Sequence, residues 1–459
     1  MIKDLSKIQR IHFVGIGGIG ISAVAGIVNS KKFLISGSDT TLSEIINDLR
    51  QQQILVQVPH DAKNISKEID LIVCSVAVPF NNPEIQKAKE LNIPIITYPE
   101  FLGLLLTDHF GIGVSGTDGK TTTTAMIAKL LIDGDKDPTV VLGAKANFLN
   151  NNWRVGKQPY FVFESDEYRR AFLNYHPQIA VITNINLDHL DYYKNETDYL
   201  NAFVEYVKMM PLDGLLVINA EDENCQYLAE HFKGRVMSFA LSGGADYVAK
   251  NIRVENQKQL FEVWREGELL DEFILTLPGE HNIANVLAAL IVALEVGINF
   301  DVCYKSIAEF KGLWRRFEFI GQYGQTLIIT DYAHTPSAVA KNIKATREFY
   351  PDNKILVVFQ PHQYNRTKNF FDDFVNSFNQ ADQVIISDIY FVAGRENPQD
   401  FDVNGEKLAQ AISAKGVNCI YGGDLQQTEK IIRQQAKDFD LILILGAGDI
   451  YNLAKKLVD

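Results

Sequence analysis

Cysteine is scarce in this sequence: Cys74, Cys225, Cys303 and Cys419 are the only four in 459 residues, and none has the paired spacing of a zinc site, a redox dithiol or a disulfide framework. Reduced, buried thiols are expected. Long apolar runs are absent too, none approaching the roughly 20 residues of a membrane helix. Residues 1–10 carry Lys3, Asp4, Lys7 and Arg10 in place of the apolar stretch of a signal peptide. The expectation is a cytoplasmic protein with no membrane partner. Basic residues are in deficit, 44 against 57 acidic ones, and the net charge of -13 argues against a broad face that grips nucleic acid. A local site for a small anion stays open. What is present, 46% hydrophobic and 22% charged residues, is a packable globular mixture. The length exceeds what one core usually supports, so about three domains are expected.

Three times along the chain a short apolar strand leads into a turn and then a helix. Residues 11–16 run into Gly15, Gly17, Gly18 and Gly20 and then a buried helix, followed by apolar strands at 34–36, 71–75 and 93–97. A second unit starts with strand 110–115, enters a glycine-containing loop and a helix to about Leu131, and continues with strands at 160–163, 179–183 and 214–219. Residues 247–277 alternate polar and apolar like antiparallel hairpins, before a helix at 283–296. After Gly312 the alternation resumes, with strands at 326–330, 355–359, 383–386 and 441–445. The fold class is therefore α/β, with three consecutive α/β domains at 1–107, 108–312 and 313–459. The first and last are expected to be Rossmann-like and the central one a phosphate-loop ATPase.

Gly15-Ile16-Gly17-Gly18-Ile19-Gly20 satisfies the dinucleotide fingerprint, whose glycines let backbone amides approach a pyrophosphate at a helix N-terminus; Asp39 follows at the distance of a ribose-binding carboxylate. Alone it suggests NAD, although UDP also carries a diphosphate, and a turn needed only for packing is the bland alternative. Gly116-Thr117-Asp118-Gly119-Lys120-Thr121, followed by Thr122, resembles a phosphate loop. Lys120 is placed for the β- and γ-phosphates and the Thr121 hydroxyl for magnesium, though Val114 stands where the strict pattern has its first glycine. Glu164, Asp166 and Glu167 follow a strand and should emerge at the carboxyl edge of the sheet, where such sheets bind ligands. Asp188-His189 adds an imidazole after the next strand. Hard oxygens suit magnesium. Taken singly, each of these acids also reads as a solvated loop charge, and Arg366 as a solvated arginine. For His281-Asn282 a cap on the helix that follows is the bland alternative.

In order and spacing, residues 116–121, Glu164 to Glu167, Thr183-Asn184 with Asp188-His189, and His281-Asn282-Ile283-Ala284-Asn285 are similar to the Mur ligase family, over nearly the whole chain. The glycine turn, Arg315-Arg316-Phe317, Asp331-Tyr332-Ala333-His334 and Gln360-Pro361-His362 through Arg366-Thr367 point within that family to its L-alanine-adding members. The resemblance implies ATP-dependent ligation of L-alanine to the carboxylate of UDP-N-acetylmuramate through an acyl phosphate, with magnesium, in peptidoglycan precursor synthesis. It implies Lys120, His189, Arg315 and His334 as catalytic residues, and ATP on residues 116–122 with Asn282, Asn285 and Asp331. Thr121, Glu164 and His189 would hold metal, Glu164 and His189 both at strand ends. Gly15, Gly17, Gly18, Gly20, Ser22, Asp39 and Ser75 would hold the UDP-sugar, and Tyr332, His362 and Arg366 the amino acid.

The chain departs from the family pattern at Asp118 and Thr335, where histidines are usual, and at Gln363, where arginine is common. Residues 164–173 also resemble the murein tripeptide recycling ligase, which keeps a peptide open as the amino component. A nicotinamide-dependent oxidoreductase built on the first turn is an alternative from another class, but has no use for a second phosphate loop. A nucleotide sensor without turnover would need neither the histidine nor the C-terminal arginines. The partners expected are small molecules only, and the oligomeric state a monomer or weak homodimer.

Overall fold

A computed structural model describes residues 5–31, 33–392 and 396–458, so the outermost residues of the expected domains 1–107 and 313–459 lie outside it. The chain forms two compact units. The first comprises Met1–Asn186, Tyr199–Ser238 and Ala288–Cys303, and the second Leu187–Asp198, Phe239–Leu287 and Tyr304–Asp459.

The first unit opens with β1 (Arg10–Val14), β2 (Leu34–Ser38), β3 (Leu55–Gln57), β4 (Leu71–Cys74) and β5 (Ile95–Thr97), parallel throughout in the order β3-β2-β1-β4-β5. Ile11, Phe13 and Val14 of β1 and Leu71, Ile72 and Val73 of β4 are buried, as strands covered on both faces require. The chain steps outward from β1 through β2 to β3 and then crosses back to the other side of β1 for β4, so the direction of winding reverses between β1 and β4. A crevice therefore opens beyond their carboxyl ends, where the glycine turn leads into the helix Ile19–Asn29.

The same unit holds β6 (Phe110–Ser115), β7 (Thr139–Ala146), β8 (Asn151–Arg154), β9 (Tyr160–Glu164), β10 (Ile179–Ile182) and β11 (Leu215–Asn219), ordered β11-β10-β6-β9-β7-β8. β6 is central and parallel to both β9 and β10, so the loops leaving the carboxyl ends of all three strands emerge at one edge. The two sheets of this unit are joined through the helix Ile19–Asn29 and the β7–β8 hairpin. A Cβ on Gly26 would collide with the Trp153 indole, so the helix backbone rests directly on the ring. Asn152 Nδ2 donates to the Ile19 carbonyl at 2.6 Å, and Lys145 Nζ reaches Glu44 at 2.9 Å and Asp48 at 2.6 Å.

In the second unit, Phe239 and Ala240 at the end of β12 (Arg235–Ala240) pair with β13 (Tyr247–Glu255), which continues into β14 (Lys258–Arg265) and β15 (Glu268–Leu275) as an antiparallel meander. Its alternating burial is the period-two signal read at 247–277. The C-terminal sheet contains β16 (Glu318–Tyr323), β17 (Thr326–Asp331), β18 (Ile355–Phe359), β19 (Gln383–Ser387), β20 (Cys419–Gly423) and β21 (Leu441–Leu445), ordered β16-β17-β21-β18-β19-β20. Within it, β16 alone is antiparallel to its neighbour. β18 and β21 are wholly buried, and alternate residues feed two cores, Val357 and Leu443 on one face and Leu356 and Ile442 on the other. Among the described residues the four cysteines are free and no helix is long and apolar enough to cross a membrane.

Candidate functional site

The loop between β6 and the helix Lys120–Asp133 takes a shape that only glycine permits at two points, with φ of 126° at Gly116 and 86° at Gly119. A Cβ at Gly116 would also collide with Thr183 Oγ1. The segment after β10 braces the loop: Thr117 N donates to the Asn184 carbonyl at 3.0 Å, Asp118 N to Asn184 Oδ1 at 3.0 Å, and Thr183 Oγ1 to the Asp118 carbonyl at 2.6 Å. Asp118 thus contributes backbone contacts that do not depend on its departure from histidine. The helix starts without a side-chain cap, which leaves its first-turn amides and positive dipole end for an anion.

Lys120 Nζ donates to the Gly116 carbonyl, to the Thr117 carbonyl at 3.2 Å and to Glu167 Oε1 at 3.1 Å. Burial opposes its charge, but the carboxylates of Glu167 and Asp166 outweigh it and raise its pKa, so it remains an ammonium at neutral pH. Thr121 Oγ1 lies 3.1 Å from Glu164 Oε2, while Glu164 Oε1 accepts the Gly143 amide. A hydroxyl and an oriented carboxylate at that spacing are the hard oxygen donors magnesium takes. Thr122 is buried at the same helix end.

The first glycine turn is held by contacts of its own. Gly15 has φ of 80°, and its amide donates to the Ser38 carbonyl at 2.9 Å. Asp39 Oδ2 accepts the Gly17 amide at 2.8 Å and Oδ1 the Thr40 amide at 2.7 Å, so this carboxylate fixes the turn itself. Gly18 is the uncapped N-cap of the helix, and a side chain on Gly20 would strike the Tyr98 hydroxyl at 2.9 Å. Ser75 follows β4 at the same sheet edge and accepts the Ala77 amide at 3.3 Å. Ser22 is a correction: it is buried within the helix and its hydroxyl is committed to the Ile19 carbonyl at 2.9 Å.

In the second unit, Asn282 Nδ2 donates to the Pro278 carbonyl at 2.7 Å and Asn285 Nδ2 to Asn282 Oδ1 at 3.2 Å, both residues buried. The helix begins at Glu280, so His281 and Asn282 lie inside its first turn rather than capping it. Arg315, with φ of 56°, donates through Nη2 to the carbonyls of Gly446 at 2.6 Å and Gly448 at 2.9 Å, and its guanidinium covers Tyr332 at 4.9 Å. Asp331 accepts the amides of Phe317 and Ala333 at 2.8 and 2.7 Å, and burial raises its pKa despite Arg316. His334 Nδ1 lies 3.0 Å from the Tyr332 carbonyl; burial, then Arg366, keeps its pKa well below the usual imidazole range, so its ring is neutral and donates there. The His362 ring lies 5.9 Å from it and stacks on Tyr390. Thr335, where the family favours histidine, caps the helix Pro336–Phe349 by accepting the Ala338 amide.

Arg366 is 6% exposed and so is not a solvated arginine. Its Nη2 donates to both carboxylate oxygens of Asp188, at 3.0 and 3.4 Å, and its Nη1 lies 3.3 Å from His362 Nδ1. Burial would raise the Asp188 pKa, but the Arg366 guanidinium above all, with the hydrogen bond from the His189 amide, holds it well below the carboxylate range. The sequence pointed to Asp188 only as the neighbour of His189, since nothing local marks a contact with a residue so distant in the chain. His189 itself corrects the expectation of a strand end: β10 stops at Ile182, and His189 lies in the following loop at φ of 55°, its carbonyl accepting the amides of Tyr192 and Tyr193.

Family profiles match three successive stretches: one described as Mur ligase family, catalytic domain, at residues 10–110; Mur ligase middle domain at 114–293; and Mur ligase, glutamate ligase domain, at 315–448. The UDP-N-acetylmuramate--L-alanine ligase of Clostridium novyi is 37% identical over the whole chain and 98% of its own length, and that of Clostridium tetani 40% identical over 97% of each. The crystal structure of the UDP-N-acetylmuramate-alanine ligase from Thermotoga maritima superposes with a TM-score of 0.84 at 31% identity over 98% of both chains. A murein peptide ligase from Psychrobacter arcticus shares the fold, with a TM-score of 0.72 at 20% identity over 98% of both chains. The oxidoreductase reading of the first glycine turn falls with these matches, and the chain, with its second, fully braced phosphate loop, belongs to the Mur ligase family.

Proposed function

We propose that this protein joins L-alanine to the carboxylate of UDP-N-acetylmuramate with hydrolysis of ATP, in peptidoglycan precursor synthesis. The observation that carries the reading is similarity along the full length to ligases of that name, including a solved structure at TM-score 0.84. The sugar carboxylate, a poor acyl donor, attacks the γ-phosphate of ATP to give an acyl phosphate and ADP. The amine of L-alanine then adds to the activated carbonyl, and phosphate leaves to form the amide. No protein nucleophile is required, so catalysis is positioning and electrostatics.

In this reading Lys120 steadies charge on the transferring phosphoryl group, and residues 116–122 with Asn282, Asn285 and Asp331 bind ATP. Gly15, Gly17, Gly18, Gly20 and Ser75 bind the UDP-sugar, with Asp39 holding their turn. Thr121, Glu164 and His189 would hold magnesium, which would neutralise the negative charge of the phosphoryl transfer when bound. Arg315 acts by fixing Tyr332 and the loop of Gly446, and His334, Tyr332, His362 and Arg366 receive the amino acid. The domains divide at 107/108 and 312/313, and the protein works in the cytoplasm as a monomer or weak homodimer. The test is phosphate release from ATP with UDP-N-acetylmuramate, comparing L-alanine, other amino acids and the recycling tripeptide. Turnover with the tripeptide in preference to L-alanine would overturn the assignment.

A further inference from the structure

The cavity beside Arg366 is lined by Asp188, His189, Asp191, Gln363, Asn365 and Phe370. An amino-acid carboxylate entering it meets one guanidinium and two acidic side chains. The guanidinium is already committed: Nη2 lies on both oxygens of Asp188, and Nη1 is beside His362. The third donor, Nε, is buried without a hydrogen-bond partner among the described residues. An unmade bond to a buried charged donor is expensive, so Nε is a place where a further acceptor is favourably received. Asp188 and Arg366 together are neutral, so a second carboxylate gains little attraction while Asp188 stays in place.

We propose that Asp188 is an internal stand-in for the amino-acid carboxylate, a positioning residue that occupies Arg366 until the substrate takes its place and thereby sets both the affinity for the amino acid and the stage at which it binds. The inference rests on the reading of Arg366 as the partner of that carboxylate. The geometry favours exchange over permanent support: one Nη2 shared between two oxygens at unequal distances is a weaker grip than the parallel two-donor fork an arriving carboxylate forms with Nε and Nη2. The swap leaves the Arg366 charge compensated throughout, so no stage strands a buried cation. Asp188 also accepts the His189 amide through Oδ1 at 2.7 Å, so its release alters the backbone that carries His189.

The experiment measures KM for L-alanine and kcat separately in Asp188→Asn, together with calorimetric binding of L-alanine to the enzyme alone. The stand-in role gives a KM lowered roughly tenfold, as expected if the wild-type pair keeps Arg366 occupied about nine-tenths of the time. Kcat should change little, and the variant should bind L-alanine without the other substrates while the wild type does not. A KM that rises or stays put, with no binding to the variant alone, overturns the proposal. Asp188→Ser gives the same readout if the amide cannot be accommodated, and failure of both variants to fold makes the pair a structural one and likewise overturns it. Arg366→Gln separates the two levels of the argument: if it leaves KM for L-alanine unchanged, the reading of Arg366 fails. If it raises KM while Asp188→Asn has no effect, only the stand-in role fails.

Discussion

Lys120→Ala removes two things at once, a charge proposed to stabilise the transferring phosphoryl group and the counter-ion of a buried carboxylate. The Lys120 and Glu167 side chains are 17% and 1% exposed, with Nζ 3.0 Å from Glu167 Oε2, so solvent screens the pair weakly. Breaking such a pair on one side costs roughly 3 to 5 kcal/mol, here toward the lower end because the Tyr199 hydroxyl still donates to Glu167. Loss of the phosphoryl contact is expected to lower kcat by roughly a hundredfold to a thousandfold. The two effects separate in Lys120→Ala/Glu167→Gln, where the amide needs no counter-ion: urea denaturation should recover most of the lost stability while phosphate release stays near the single mutant's level. Recovery of turnover above about a tenth of wild type, roughly 1.4 kcal/mol of barrier, would show that Lys120 serves only as a counter-ion to Glu167.

Thr121→Val and Glu164→Gln should each raise the magnesium concentration for half-maximal turnover by at least about tenfold, as loss of an oriented ligand or its support does, and chelation should abolish phosphate release reversibly; unchanged magnesium titrations would remove both residues from the metal site. His189→Ala should raise the magnesium requirement and leave UDP-sugar binding intact, as seen by calorimetry. Ser22→Ala should leave UDP-sugar affinity at the wild-type level, whereas Asp39→Ala should weaken it by roughly tenfold, since a loosened Gly17 turn must be reordered on binding. Burial, then Lys341, lowers the His281 pKa from 6.5 to about 4. Its neutral ring therefore stabilises the fold fully above about pH 6.5, and that contribution, on the order of 1 to 3 kcal/mol, is lost as pH falls toward 4. His281→Gln should flatten the stability profile across that window in urea titrations.

The sequence revealed what is periodic or punctuated by glycine. The apolar runs that became β1, β6, β18 and β21, both glycine turns, and the alternation at 247–277 were legible because burial on two faces, a positive φ and a half-exposed meander each demand a residue pattern. β8 was not, because Asn151, Asn152 and Arg154 leave it without an apolar run, and β3 keeps only Leu55 and Val56 before Gln57. β16 alternates weakly at a sheet edge. Among site residues, Lys120, Thr121 and Glu164 could be read from a local motif. The inward turn of Ser22 could not, since a serine in a helix looks the same whichever way it faces. Nor could the role of Asp39 in holding Gly17 or the grip of Asp188 on Arg366, as both depend on how distant segments meet.

Gly26 and Trp153 carry a consequence of another kind. The helix that begins at the first anion cradle rests its backbone on an indole belonging to the hairpin beside the second, with Asn152 and Lys145 pinning the same joint. A glycine-on-indole contact has no compressible side chain to take up slack, so the spacing between the two cradles behaves as a fixed ruler rather than a spring. A ligand that must touch both is then selected by its length as well as by its chemical groups. Gly26→Ala, by wedging a methyl into the joint, should change the preferred length of the sugar nucleotide's acyl-bearing arm without touching a single ligand-contacting atom.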